Sequence, residues 1–474
     1  MVFSSIVFLF YFLPITILLY YTLGRKHIRL QNGILLIASL VFYGWGEPHY
    51  IALLVFSCFF NWMMAMRVSY SGQLQKLWLI VTCVVNLGIL FVFKYWDFTM
   101  SSINIIIGRD LLPLYHIALP IGISFFTFQA MSYVIDVYRG DVPAQKSLWN
   151  VTLYVSLFPQ LVAGPIVRYH TIEDQILHRT HSWQQFSQGA TRFAQGLAKK
   201  LILANSFATI ADTIYNLTRA GHNVMVIPIS LAWLGTFAYT LQIFLDFSAY
   251  SDMAIGLGKM FGFTFEENFI YPYISQSIGE FWRRWHISLG TWFREYVYIP
   301  LGGSRMSSID GVFRNMLVVW LLTGLWHGAA WNFLFWGLLN YAFLVFERIT
   351  MLEKRTGHRI LRHIYTMTVV NLGWVLFRCE DFYQLQEYLG NLFGLYHNPF
   401  FSYYTWMFLR EYFYFWIIGI CICFPVFPAL RQYILEKHPR LESVLYPAGM
   451  IMIFLLSVVY LSKSGYNPFI YFNF

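Results

Sequence analysis

The sequence predicts an all-α, polytopic integral membrane protein of about eleven transmembrane helices, and three observations carry that expectation. Of 474 residues, 58% are hydrophobic and 12% charged, where a soluble domain carries about 25% charged residues. Aromatic residues reach 20%, and Trp and Tyr favour the headgroup level, where a ring can lie in lipid with its polar tip in water. Apolar runs of spanning or near-spanning length recur along the whole chain. The net charge of +9, from 32 basic and 23 acidic residues, raises nucleic acid as a partner class. The basic residues cluster between the apolar runs, however, where orientation by the positive-inside effect accounts for them, so nucleic-acid binding is set aside.

The first run, about residues 2 to 23, lacks a basic leader and a small-residue cleavage site. It is expected as a retained first helix, with no soluble domain before or after the membrane region. The run from 33 to 66 is too long for one crossing and is interrupted by Gly44, Gly46, Glu47 and Pro48, which splits it into two helices. Further runs cover 77 to 94, 115 to 135, 198 to 216 and 226 to 247. The run from 315 to 347 is interrupted by WHGAAWN, and 363 to 379, 409 to 430 and 444 to 462 complete the set. Pro159, Gly164 and Pro165 mark VTLYVSLFPQLVAGPIV as re-entrant. No internal repeat or low-complexity tract appears, so residues 1–474 are expected to form a single domain.

Placing Arg25, Lys26 and Arg29 in the cytoplasm puts the N-terminus outside. Glu47 then falls outside, Arg67 and Lys76 inside, and Glu380, Asp381 and Glu387 outside. Arg431, Lys437 and Arg440 return inside and leave the tail YNPFIYFNF outside. The same rule puts both Arg314 and the stretch Arg348, Lys354, Arg355, Arg359 and Arg362 inside, which a single crossing cannot satisfy. Two tilted or half-length helices meeting at WHGAAWN would satisfy it, and irregular backbone at that depth is tolerated only where protein or a cavity covers it.

His327 is the first candidate for chemistry. Thirteen residue steps from Arg314 carry it about 20 Å along a helix, well into a hydrocarbon core of about 30 Å. Packing glue to a neighbouring helix is one reading. A functional site is the other, because ionisable groups at that depth usually mark one, and Gly324, Gly328, Ala329 and Ala330 leave room for a ligand. A buried imidazole is expected to be neutral and to keep a lone pair, so it can act as a base on a sugar hydroxyl attacking an activated thioester. Asn332 and Trp331 are neighbours from which an oxyanion donor could come.

GEFWRRWHISLGTWFREYVYIPLGGSR is too polar to span. On a helical wheel Trp282, Trp285, Leu289, Trp292, Phe293 and Tyr296 form a stripe, with Arg283, His286 and Arg294 along one margin, as in an interfacial helix. Those arginines either snorkel or face a donor entrance and meet coenzyme phosphates, and His286 is then a second functional imidazole. Asp246 and Asp252 fall on opposite sides of a helix, which disfavours a carboxylate pair; a structural partner such as a buried Arg suits Asp246 better than catalysis. Cys58, Cys83, Cys379, Cys421 and Cys423 lie in or beside apolar segments with no metal-site spacing and are expected to pack, with no metal bound. Soluble catalytic fingerprints are absent.

The combination of GISFFTFQAMSYVIDVYRG, FPQLVAGPIVRY, DFSAYSDMAIGLGKMFGF, ENFIYPYISQSIGEFWRRWHISLGTWFREYVYIPLGG and LLTGLWHGAAWNFLFWG resembles the membrane-bound O-acyltransferase family over nearly the full chain. It is most similar to the branch of the alginate and peptidoglycan O-acetyltransferase membrane subunits. The resemblance implies a ring of helices with re-entrant and interfacial elements around a central funnel in a bacterial inner membrane. It implies His327 as the WHG histidine and His286 as the RRWH histidine. It implies a cytoplasmic acyl donor, acetyl-CoA, with no resident cofactor, and a polysaccharide acceptor reached directly or through a periplasmic esterase-like or acetyltransferase partner. D-alanyl transfer to teichoic acid is a near alternative. A transporter of an acyl donor or polysaccharide, with His327 as a gating or relay group, is an alternative of another class.

Overall fold

The computed structural model describes residues 1–25, 27–70, 72–162, 164–218, 226–354 and 357–463. Lys26, Arg355, the side chain of Lys354 and the tail from residue 464, all used in the expected orientation, lie outside the described residues. Among the described residues every regular element is helical. Eight helices among the described residues are long and apolar enough to cross a membrane, or nine if Phe413–Ile422 and Val426–Lys437, bent by 76°, form one broken span.

The run from 33 to 66 divides as its turn residues predict, into Ile28–Gly46 and Ile51–Tyr70. Three other apolar runs give less than a full crossing. The first becomes the short apolar stretch Phe8–Thr22. The run from 115 to 135 yields Ile123–Arg139, which starts only after Gly122 at φ +75°. That helix buries Gln129, Ser132 and Asp136, so protein rather than lipid surrounds it. The run from 198 to 216 is divided by the π-helical turn Lys199–Ala204.

The chain forms two compact units, Met1–Phe193 with Ser251–Glu267, and Ala194–Tyr250 with Asn268–Phe474. In the first unit, VTLYVSLFPQLVAGPIV folds as Leu148–Ser156 and Phe158–Leu161, broken at Leu157. Residues 151–162 are buried throughout. Arg179, also buried in this unit, donates to the Tyr20 hydroxyl at 2.8 Å and to Asn32 Oδ1 at 2.6 Å. Its guanidinium lies 4.6 Å from the centre of the Phe263 ring.

The second unit holds a large core of rings and aliphatic side chains contributed by residues 203 to 423. Inside it, Lys200 and Asp246 pair at 2.7 Å with side-chain exposures of 3% and 1%. The helix Ile229–Met260 also carries Asp252, which belongs to the first unit and pairs there with Arg192 at 2.8 Å. Both aspartates therefore serve ion pairs; the buried partner of Asp246 is a lysine where an arginine was expected.

A buried pair depends on its two charges being removed together or not at all. Asp246→Asn is expected to lose about 3–5 kcal/mol of stability by leaving the Lys200 ammonium uncompensated. The double change Asp246→Leu with Lys200→Met should recover most of that loss. Thermal denaturation in detergent checks both, and equal melting of the single and double variants would contradict the account.

Candidate active site

Two helices and one broken helix, all in the second unit, build the site. Ile309–His327 starts at Ser308, whose hydroxyl accepts from the Gly311 amide at 3.2 Å. It ends in the extended residues Gly328 and Ala330, and Trp331–Thr350 then runs back. A Cβ on Gly324 would strike the Phe333 carbonyl and Leu334 Cα, and one on Gly337 would strike the Trp320 carbonyl. The two backbones are thus in contact along an antiparallel hairpin, the arrangement that places Arg314 and Arg348 at the same end. The expected room for a ligand at Gly324 and Gly328 is not there. A side chain at Gly328 would run into the Phe333 ring, so these glycines serve backbone packing.

His327 sits at the hairpin tip, 3% exposed. Trp326, Trp336 and Phe377 meet its ring edge-on, with centroids at 5.0, 5.0 and 5.3 Å. Edge-to-face contacts of this kind favour one ring orientation over others. Asn332 donates to the Cys379 carbonyl at 3.0 Å, and Trp331 is exposed. The Asn332 amide is thus engaged by backbone rather than aimed as an oxyanion donor.

The continuous amphipathic helix expected around His286 is broken. Ile278–Arg284 ends before Trp285, and Ile287–Phe293 begins after His286, which takes the left-handed conformation at φ +46°, ψ +53°. The stripe residues Trp285, Leu289, Trp292 and Phe293 are buried in protein where an interfacial helix would set them in lipid. The cause is a tertiary contact. The Asn268 carbonyl accepts from the Ile287 amide at 3.0 Å, and its side-chain Oδ1 accepts from the Ser288 amide at 3.1 Å, so Asn268 takes up the first free amides of the second short helix.

At the other end, Glu347 is buried and accepts from the Ile278 and Gly279 amides at 2.5 and 3.0 Å. Ser277 caps the same helix through the Glu280 amide at 2.9 Å. Between these anchors, the Trp282 indole donates to Asn340 at 3.0 Å and its ring meets Trp336 at 5.4 Å. The segment therefore runs along Trp331–Thr350 from its base toward its tip, which delivers His286, 2% exposed, to Trp326 at 5.8 Å. The two predicted imidazoles, 286 and 327, share that indole as a neighbour.

The predicted donor-binding arginines are not gathered with them. Arg283, with 63% of its side chain exposed, pairs at 3.0 Å with Glu353 at the base of the hairpin. Arg294 is exposed and makes no ion pair among the described residues. Asn268, Glu347, Trp336 and Phe377 were not singled out in the sequence. The Ser277 to Glu280 capping pattern is the sequence signal that could have marked the helix start that Glu347 completes.

A family model described as MBOAT, membrane-bound O-acyltransferase family, matches residues 63–379. The chain is 46% identical over 388 residues to a protein named probable alginate O-acetylase from Azotobacter vinelandii, covering 80% of this chain and 76% of that protein. It is 39% identical over 505 residues to a protein of the same name from Pseudomonas putida, covering the whole of both. It is 33% identical over 430 residues to the peptidoglycan O-acetyltransferase of Helicobacter pylori, covering 83% of this chain and 80% of that one.

Gly324→Ala forces a methyl into backbone on the facing arm, and overpacking of this kind costs about 1–3 kcal/mol. The variant is expected to melt earlier than wild type by size-exclusion thermostability. Ala329→Ser, at a half-buried position of the turn, should stay close to wild type, and equal tolerance at both positions would refute the backbone contact.

Proposed function

This chain belongs to the membrane-bound O-acyltransferase family, and on that footing we propose that it carries acetyl groups from cytoplasmic acetyl-CoA across the inner membrane for O-acetylation of a cell-envelope polysaccharide. Family membership places the chain among enzymes rather than carriers. The acetyl group and the polysaccharide are supported by relatives named alginate O-acetylase and peptidoglycan O-acetyltransferase, one of them matched over its whole length. Alginate-like exopolysaccharide is the favoured acceptor, since the relatives of that name are the more similar ones.

His327 is the base in this reading. Its imidazole takes the proton of the attacking hydroxyl as that oxygen bonds to the thioester carbonyl carbon. The carbon–sulfur bond then breaks, and the imidazolium returns the proton to the departing sulfur. The observation that carries the assignment is the burial of His327 inside three edge-on rings at the tip of the hairpin. Such walls keep bulk water from competing for the acyl group. His286 assists as the accessory imidazole.

Arg283 and Arg294 stand at the donor side, where exposed guanidinium groups can meet the coenzyme phosphates; Arg283 must then exchange Glu353 for them. A periplasmic esterase-like or acetyltransferase partner completes delivery to the polymer, with both chain termini outside. The whole chain acts as one O-acyltransferase domain.

His327→Ala is expected to lower acetylation of envelope polymer by at least about 10²-fold, the usual contribution of a general base. Protein level and membrane insertion should be unchanged. Mass spectrometry of envelope glycans, at protein amounts matched by immunoblot, reads this out, and acetylation that persists in the variant would sink the assignment.

A further inference from the structure

The surroundings of His286 fix its proton. Asn268 Oδ1 lies 3.1 Å from the Ser288 amide, which can only donate, so the atom facing it is an oxygen. The Ser288 hydroxyl is 3.0 Å from the same oxygen and gives its single proton there. Nδ1 of His286 faces that oxygen at 3.2 Å and must bring the hydrogen itself. The ring is therefore the Nδ1–H tautomer, and Nε2 carries a lone pair.

That Nε2 is buried and has no hydrogen-bond partner among the described residues. The groups around the ring are Asn268, Ser288, Phe247, Phe269 and Trp326, none of them charged. Burial pushes the imidazole pKa down to about 3, so the ring stays neutral at ordinary pH. The left-handed backbone at His286 is strained, and bonds from Asn268 to the imidazole and to the two following amides hold it.

We infer that Asn268 is a positioning residue that keeps His286 as a hydrogen-bond acceptor, its Nε2 receiving an O–H or N–H of the substrate while His327 takes the proton of the reacting hydroxyl. The inference rests on the acetyltransferase reading and sharpens it. A neutral ring with its proton on Nδ1 cannot donate from Nε2, so His286 does not stabilise the oxyanion. Two neighbouring hydroxyls of a sugar, or one hydroxyl and an amide N–H of the acyl donor, supply the two hydrogens that two accepting imidazoles require.

The test uses the full chain purified in detergent, with acetyl-CoA as acyl donor, an alginate oligosaccharide as the source of acceptor hydroxyls, and release of coenzyme A thiol above the acceptor-free rate as the readout. Asn268→Leu lets the ring adopt the other tautomer and should lower kcat/KM about tenfold, the worth of one hydrogen bond of about 1.4 kcal/mol. His286→Ala should show a similar loss, and the double variant no more than either. Additive losses would mean that Asn268 only caps the helix, and would overturn the inference.

Asn268→Asp keeps both amide bonds, and so guards against misfolding. Its carboxylate raises the basicity of the imidazole, so activity should fall as pH is lowered through the raised pKa, where imidazolium loses the accepting Nε2. That limb should be absent from wild type and from Asn268→Asp in the His286→Ala background. A pH profile identical to wild type would overturn the inference while leaving the acetyltransferase reading intact. A wild-type preparation that releases no thiol would sink both.

Discussion

Interrupted helices can be buried only if their free amides find acceptors, and the second unit is arranged around that requirement. An unsatisfied buried amide costs about 1–3 kcal/mol, and each short helix of the 278–293 segment starts with several. Glu347, from the far end of the hairpin, takes two of them at Ile278 and Gly279. Asn268, with one backbone and one side-chain oxygen, takes two more at Ile287 and Ser288. These remote acceptors allow the chain to turn at His286 in the middle of protein. Without them the segment would extend as one helix and carry the imidazole elsewhere.

Rings fill the space that this backbone path leaves. Trp285 meets Trp374 at 4.9 Å, Trp282 meets Trp320 at 4.9 Å, and Trp336 stacks on Trp374 at 6.1 Å. The indoles belong to the broken segment, both arms of the hairpin and the Arg359–Arg378 helix. Large planar side chains with few rotatable bonds hold such a junction at low entropic cost. Several charges in the same unit come with a counter-charge, as at buried Lys200 and Asp246 or at partly buried Arg378 and Asp212, 2.7 Å apart in each case.

Much of this was legible in the sequence because hydropathy and charge are local. The turn residues at Gly44 to Pro48 divide one run into two helices, and basic residues on both sides of WHGAAWN foretell a hairpin with His327 at its tip. What was not legible depends on contacts distant along the chain. IGEFWRRWHISLGTWF keeps helical periodicity through His286 and has no proline or glycine at the break; the cause lies in Asn268, 18 residues earlier. A periodic aromatic stripe looks the same whether lipid or protein covers it. Small residues beside His327 looked like room for a ligand, whereas Phe333 and its carbonyl already occupy that room. An apolar run likewise does not say whether polar groups within it, such as Gln129 and Ser132 in the run from 115 to 135, face a neighbour.

The glycine contacts between the two arms of the hairpin bear on how this protein meets membranes of different thickness. Helices separated by side chains can slide or splay when the surrounding bilayer thins or swells. Arms touching through Gly324 and Gly337 have no such slack, so they answer mismatch by tilting together. The distance of His327 from the base of the hairpin is then a fixed length of helix, about 20 Å from Arg314, and the shared tilt of the two arms alone sets how deep it lies.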